Sequence, residues 1–489
     1  MAVGKNRDVI IVGSGNSGSL AALATQEVGA RVLILEKAPK ERRGGNTHFT
    51  GGSYRFAYKP DEVRGIIPDL SESELNSMEF EGLSQDQFYG HIMRITEGRA
   101  NPEMVELLVK ESQPTIKWMT AQGAQWEFRP EDAAALKHGK IHVGSGVQWL
   151  RAKNRGEGLS KNLFSILEKR GIPVLYGTKV VKLLQDRRGR VCGVTVKNEE
   201  GFEDIEGKAV ILACGSFEAN REMRLKYLGA EWETMPIRGT RYNTGDGLRM
   251  ALEIGAQTAG HWAGCHAAQV DVGAPEFPEM TRTDDTTRSG YQMGIIVNVH
   301  GKRFVDEGED WRPFTYTKFA HEIMRQPQRM AFQVIDSKMV DHLSGRYNKG
   351  IQVKADTIEE LAQKLEIDVD SLVQTVKEFN AGVQTGTWDL TTKDGKRAVG
   401  ISPPKSNWAI EIDRPPFYAF PTKAALTYTF GGLKTNRKCQ VLDNEDNVVP
   451  GLYAAGERVG FWHFRYMGGS GLMLGAVTGK IAGAQAGAE

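Results

Sequence analysis

"IIVGSGNSGSLAA", residues 10–22, decides how this chain is read. Val9-Ile10-Ile11-Val12 is a short continuous apolar run, as expected of a parallel strand buried on both faces. It stops at Gly13-x-Gly15-x-x-Gly18, and a small-residue helix carrying Leu20, Ala21, Leu23 and Ala24 is expected to follow and end near Gly29. Gly13 permits the tight turn, Gly15 lets the backbone approach a pyrophosphate, and Gly18 lets the helix pack on the strand. The helix N-terminus then offers free N–H groups and the positive end of its dipole to phosphates. A second apolar run, Val32–Leu35, ends in Glu36, 18 residues past Gly18. A carboxylate there can accept hydrogen bonds from a ribose 2′-OH. This unit predicts an α/β dinucleotide-binding domain. It does not separate NAD from FAD, which share an adenosine pyrophosphate.

At 489 residues the chain is too long for one compact core, so two domains are expected, one interrupting the other. Lys plus Arg is 62 and Asp plus Glu is 61, which argues against a nucleic acid or an anionic membrane as partner. The start, MAVGKNRDVIIVG, lacks the pattern of a signal peptide, and no apolar run reaches membrane-span length. A cytoplasmic protein without an integral membrane segment is the expectation. Cys192, Cys214, Cys265 and Cys439 are too far apart for a zinc ribbon, an iron–sulfur cluster or a c-type haem, so no metal is expected and all four read as small buried residues.

Along the chain, "GGNTHFTGG" (44–52) reads as a backbone-rich loop, neither strand nor helix, suited to cradle the flat part of a cofactor. Residues 70–120 read as helical, with a break at Pro114, and 158–172 as an amphipathic helix. Residues 174–186 and 191–198 alternate like strands around a turn at Arg188-Gly189, and "KAVILACGSFEAN" (208–220) is a buried strand entering a glycine turn. "NTGDGLRMALEIGA" (243–256) is a polar turn and a helix. The character then changes. "IIVNVHGKRFVDE" (295–307) predicts a hairpin turning at His300-Gly301, and 357–383 a helix pair opened by a capping box, Thr357 to Glu360. Residues 263–414 therefore read as a separate domain, its end marked by Pro403, Pro404, Pro415 and Pro416. The last part, 415–489, returns to the style of 1–262: a strand ending in Gly456-Glu457, then "GGSGLMLGAVTGKIAGAQA" (468–486), a second glycine turn opening a small-residue helix. Two phosphate-style helix starts suit a cofactor longer than one nucleotide.

These pieces in this order resemble the FAD-binding subunits of fumarate reductases and succinate dehydrogenases, in their soluble branch. Within that family "RGTRYNTGDG", "GCHAAQVD" and "GKRFVDEGEDW" look most like tricarballylate dehydrogenases, and "RYMGGSGLM" resembles an element of ketosteroid dehydrogenases. The resemblance implies FAD. It also implies a Rossmann-like α/β FAD-binding domain interrupted by an α+β capping domain, with the active site in the cleft. By resemblance Gly13, Gly15 and Gly18, with Asn16 and Ser17, take the pyrophosphate, and Glu36, beside Lys37, takes the adenosine ribose. Gly45, Asn46, Thr47, Gly51 and Gly52 lie along the flavin. Asp246 and Glu457 reach the sugar chain, and Ser470, Gly471 and Leu472 sit by the pyrimidine edge. Val180, Ala213, Gly215, Asn243 and Gly456 complete the implied cofactor set.

Three departures from the family bear on function. Where complexed succinate dehydrogenases carry a histidine bonded to flavin, this chain has Gly45, with His48 three positions away, so non-covalent FAD is expected. Tyr428 stands in "TYTFGGL" where fumarate reductases carry a histidine. The nearest match to the proton-donating arginine is Arg312, one position out of register after the acidic run Asp306–Asp310, whose acids pair with Arg303 or Arg312 or are simply solvated.

The family reaction moves two hydrogens across a C–C bond beside a carboxylate or carbonyl, so the site needs an anchor for that group and a proton acceptor within reach. Arg465 is the candidate anchor, because guanidinium can grip a carboxylate with two parallel hydrogen bonds; the plainer alternative is a surface arginine. His266 sits where the family binds substrate. Tyr428 and Tyr466 lie against glycine turns and supply phenols, and Arg312 is the candidate for proton transfer. A polycarboxylate of the tricarballylate type is the leading expectation for the small-molecule substrate and an enone such as a 3-ketosteroid the rival; a flavin-binding protein without turnover is a distant third. With no haem motif or cysteine cluster, electrons are expected to pass to a separate acceptor: oxygen, a quinone or another protein. In tricarballylate dehydrogenases the resemblance points to a membrane iron–sulfur protein.

Overall fold

The computed structural model describes residues 7–67, 70–128, 134–137, 140–145, 148–390 and 392–489; the first six residues of the leader reading lie outside them. In chain order the principal elements are β1 (Arg7–Val12), α1 (Asn16–Glu27), β2 (Val32–Leu35), α2 (Pro102–Ala121), α3 (Arg155–Lys169), β3 (Val174–Leu175), β4 (Lys179–Gln185), β5 (Val191–Asn198) and β6 (Gly201–Leu212). Then follow α4 (Asp246–Glu253), β7 (Cys265–Asp271), β8 (Ile295–Asn298), α5 (Arg312–Met324), β9 (Met330–Asp336), β10 (Val353–Ala355), α6 (Ile358–Lys364) and α7 (Val369–Gly382). The chain closes with β11 (Phe417–Thr429), β12 (Gln440–Leu442), β13 (Val448–Ala454) and α8 (Ser470–Gly487).

The apolar runs read as buried strands form the middle of a mixed sheet ordered β12-β13-β6-β1-β2-β3, with β5 and β4 continuing antiparallel from the far part of β6. β1 is parallel to both neighbours, Ile11 standing opposite Ile34 and Ile211. Ile10, Ile11, Leu33, Ile34, Val210 and Ile211 are fully buried, and each such side chain contributes roughly 1.5–3 kcal/mol. Chain order runs outward from β1 in both directions, so a crevice opens at the carboxyl ends of β1, β2, β6 and β13, where ligands of open α/β sheets bind. Gly13 is there at φ +101°, and a Cβ on it would stand 2.6 Å from the Ala213 carbonyl oxygen.

The two small-residue helices meet each other. A Cβ on Gly479 of α8 would fall 2.4 Å from Ser17 O, and one on Gly483 would fall 2.2 Å from Ala21 O. Glycines four residues apart lie on one helix face, so α8 presses a bare stripe onto α1 and brings its N-terminus beside that of α1.

A second, five-stranded antiparallel sheet, β7-β11-β9-β8 with β10 on β11, is covered by α6 and α7. Its central strand corrects the expected boundary at 414: β11 starts at Phe417, beyond the prolines, and pairs with β7, β9 and β10. Four local expectations also change. Helix α2 runs through Pro114 without breaking, because Pro114 and Lys110 lie on its exposed face, where water can satisfy the Lys110 carbonyl that the proline leaves without a donor. The turn at Gly301 forms, but only Val297 and Arg303 pair across it; β8 takes β9 as its partner, and Arg303 turns to Glu307. The Thr357 hydroxyl caps Glu360 N–H, while the Glu360 carboxylate reaches back to Asp356 N–H rather than to Thr357. Within 70–120, helices Glu72–Asn76 and Gln85–Ile95 flank a short strand, Met78–Phe80. Among the described residues no helix is long and apolar enough to cross a membrane.

Candidate active site

A single elongated cavity runs from the carboxyl ends of β1 and β2 to the edge of the five-stranded sheet. Its first half is framed by the two glycine loops. The Asn16 N–H, in the first turn of α1, donates to Thr47 Oγ1 at 2.8 Å and ties the first glycine loop to the second. That second loop is not plain coil: Gly45–Phe49 is a 3₁₀ turn entered through Gly44 and Gly45 at positive φ. A Cβ on Gly15 would stand 3.4 Å from Thr47 Oγ1, so any side chain there narrows the passage between the loops.

Glu36 lines the same end. Its carboxylate accepts from Ser14 N–H at 3.0 Å, Ser14 Oγ at 2.5 Å and Ala38 N–H at 2.8 Å. Asp246, opposite, pairs with Lys37 and Lys179, each at 2.8 Å. Burial opposes its charge, but hydrogen bonds from Lys179 and Lys37 outweigh burial and hold the carboxyl down at about 2.

The other half is lined by side chains. His266 and Tyr428 face each other across the β7–β11 pairing, ring centroids 5.4 Å apart. Tyr466 packs edge-on against His266 at 4.2 Å, and its hydroxyl accepts from Gly471 N–H at 2.8 Å. The Tyr428 hydroxyl is buried with no hydrogen-bond partner. Arg312 begins α5, and Tyr316 follows four residues later on the same face. The Tyr316 hydroxyl lies 2.5 Å from His266 Nε2. Burial, reinforced by nearby Arg238, pushes His266 well below the ordinary imidazole range and keeps it neutral; burial pushes the Tyr316 and Tyr428 phenols well up.

Beside these rings stands a cationic cluster. Arg238 grips Asp284 Oδ1 at 2.5 Å through Nη2 and 2.9 Å through Nε, and Arg346 Nη2 takes Oδ2 at 2.6 Å. Burial opposes the Asp284 charge, but the two guanidiniums hold the carboxyl far below its usual range. A Cβ on Gly51 would stand 3.3 Å from Asp284 Oδ2, so the cluster lies directly against the second glycine loop. Arg312 Nη1 is 3.4 Å from Ser289 Oγ in the same wall.

The cavity brings together Arg312, Tyr428, Tyr466 and His266, and all the cofactor residues expected from sequence except Gly18 and Ser470. Gly18, in the first turn of α1, faces the glycine turn, where a Cβ would meet the Gly13 carbonyl at 2.0 Å, so it serves close packing of helix on turn. Ser470 is buried with its hydroxyl unpartnered, outside the lining. Arg465 does not line the cavity; its main chain bends back on His463, beside Phe464 at φ +58°, and the residue is partly exposed. His48 also lies outside, with Nε2 at 2.8 Å from the Met280 carbonyl. The acidic run is committed: Glu307 holds Arg303 at 2.5 Å, and Asp310 holds Arg94 at 2.8 Å and Lys393 at 2.7 Å. Of the cysteines, Cys265 and Cys439 are buried, but Cys192 and Cys214 are partly exposed, the latter in the cavity wall. Sequence reading missed Arg238, Asp284, Arg346 and Tyr316. The only signal for Arg238 was its place at the head of "RGTRYNTGDG".

A sheet with a parallel centre, paired glycine loops, a buried carboxylate just after β2 and two converging helix N-termini defines a dinucleotide-binding α/β fold. The FAD binding domain family pattern matches residues 8–472, and the chain belongs to that family. It is 27% identical to the probable fumarate reductase Ifc3 of Shewanella frigidimarina, over 97% of this chain and 74% of that protein. It is also 27% identical to the 3-oxosteroid 1-dehydrogenase of Mycolicibacterium smegmatis, over 93% of this chain and 92% of that protein. The open conformation of a flavocytochrome c3 fumarate reductase has the same fold, with a TM-score of 0.73 and 24% identity over 100% of this chain and 79% of that one. The protein is thus an FAD-dependent oxidoreductase acting on CH–CH groups. The lining fits FAD: Gly13, Gly15, Gly45, Gly51 and Gly52 leave backbone open to a pyrophosphate, and the buried Glu36 carboxylate lines the same end.

Proposed function

We propose that this enzyme oxidises a polycarboxylate of the tricarballylate class to an unsaturated acid, with FAD held non-covalently. The observation that carries this reading is the cluster of Arg238, Arg346 and Arg312 in one cavity wall, with Asp284 held between Arg238 and Arg346. Guanidiniums recognise carboxylates through charge-assisted, often bidentate hydrogen bonds. Non-covalent binding is supported by His48, which is turned to the Met280 carbonyl, and by Gly45 in the lining.

Bound FAD supplies the acceptor for hydride. The chain's own groups do the rest. The arginines fix the carboxylates and stabilise the negative charge that builds on the carboxylate as the α-proton leaves. Tyr316 receives that proton at its hydroxyl, and its own proton passes along the 2.5 Å hydrogen bond to neutral His266 Nε2. The rings of His266, Tyr428 and Tyr466 exclude water from the reacting carbons. Electrons then leave to a separate acceptor.

A second reading has one observation in its favour. The unpartnered Tyr428 hydroxyl and the Tyr466 hydroxyl bonded to Gly471 N–H are donors suited to a ketone oxygen. Anaerobic mixing separates the two. Tricarballylate is expected to bleach the visible flavin band and a saturated 3-ketosteroid to leave it unchanged. Bleaching by the steroid alone would transfer the site to the tyrosines and end the polycarboxylate reading.

A further inference from the structure

Behind the cofactor half of the cavity lie two neighbouring carboxyl groups, which Ser216 N–H and the N–H of Glu218 also face. Glu457, in the short turn after β13, lines the cavity; Glu218, in the turn after β6, is fully buried behind it. Both converge on one amide. Asn46 Nδ2 is 2.7 Å from Glu218 Oε1, 3.1 and 3.2 Å from the two oxygens of Glu457, and 3.0 Å from the Thr427 carbonyl. Its orientation is fixed, because Asn46 Oδ1 accepts from Thr240 N–H at 2.9 Å. An amide nitrogen carries two hydrogens, so these acceptors oversubscribe it. Asn243 Nδ2 helps Glu218 Oε1 at 2.5 Å but stands 3.5 Å from Glu457 Oε2. Glu218 Oε2 is buried and has no donor.

An ionised oxygen in that position is strongly disfavoured, whereas a carboxylic O–H turns an acceptor into a donor. The charges facing the pair lead to the same count. Arg458 is the nearby cation, fully buried and bonded to the Gly215 carbonyl; Arg224 lies farther out beside Glu218, and the phenols of Tyr428 and Tyr466 face Glu457. One adjacent guanidinium against two carboxylates leaves a negative charge, and a single proton cancels it.

We propose that Glu218 and Glu457 share one proton in the folded protein, and that Glu218 is a positioning residue which keeps Glu457 set toward FAD only while that proton is held. Burial pushes both carboxyls up, Glu218 to about 7, and Glu218 raises Glu457 further. At a pH high enough to remove that last shared proton, two carboxylates repel across one amide and FAD affinity falls. One linked proton limits that fall to about tenfold per pH unit.

Titrating apoprotein with FAD, read by flavin fluorescence between pH 6 and 10, tests this. In the wild type Kd is expected to stay level while the shared proton is held and then to rise toward alkaline pH, by up to about tenfold per pH unit. Glu218→Gln, neutral throughout, is expected to keep the low-pH affinity across the range. A level wild-type Kd, or a Glu218→Gln protein with the wild-type slope, overturns the proposal. Calorimetry of FAD binding to the wild type needs no variant: in two buffers of different ionisation enthalpy, proton uptake on binding should grow toward one proton by pH 10. No uptake at pH 10 overturns it equally.

Discussion

At the scale of residues, Arg312 and Arg465 separate a cavity role from a surface one. Arg312 opens α5 within the cavity wall, while Arg465 lies outside the lining. A hydrogen bond to a charged group is worth about 1.5–3 kcal/mol, or about 10- to 150-fold in binding. Arg312→Met should therefore raise KM for a polycarboxylate by one to two orders of magnitude, with unchanged flavin content, while Arg465→Ala should leave KM as it is. Arg238 is a poorer probe. Removing it strips a partner from buried Asp284, and breaking a buried pair commonly costs about 3–5 kcal/mol of stability. An Arg465→Ala effect as large as that of Arg312→Met would restore Arg465 to the site. The same residues show what was legible in sequence. His266, Tyr428 and Tyr466 could be read because each adjoins a motif. Arg238 and Asp284 lie 46 positions apart, and nothing local marks one arginine among 62 basic residues as the partner of a particular aspartate.

At the scale of elements, the period of the pattern decided which expectations held. Apolar runs specify strands buried on both faces, and β1, β2 and β6 formed where they stood. The glycine stripe of α8 was legible as a small-residue helix, but its partner was not, since only the fold brings Ala21 under Gly483. Pro114 misled because local preference was outweighed by packing. Leu107, Leu108, Ile116 and Met119 bury the opposite side of α2, and the missing hydrogen bond falls on the wet side. A proline inside a helix costs about 3 kcal/mol, part of which solvation of the Lys110 carbonyl offsets. Pro114→Ala restores that bond and should stabilise the protein by about 1–2 kcal/mol, read as a higher urea midpoint with an unchanged m-value. A lower midpoint would mean that the proline ring contributes packing that outweighs its missing N–H.

At the scale of the whole molecule, the nucleotide sheet is closed by the two ends of the chain. β1 and β13 flank β6, and the antiparallel sheet is inserted between them in sequence. The prolines before β11 were misread as the end of that insertion because a proline cluster marks a turn without saying which sheet the next strand joins. The cavity therefore draws on segments that local sequence cannot hold together: residues within 12–17, 45–52, 213–215 and 456–475 contribute to its lining. A ligand at 100 times its Kd stabilises the state that binds it by about 2.7 kcal/mol. That stabilisation should be unevenly distributed. On removal of FAD, amide exchange should quicken in 44–52 and 468–472, whose contacts to each other run through the cavity. It should stay slow in β8, β9 and β11, whose ladder hydrogen bonds and packing under α6 and α7 do not involve the cofactor. Equal loss of protection in both sheets would show instead that the antiparallel sheet depends on FAD for its own stability, and that the cavity, not the two sheets, is the cooperative unit.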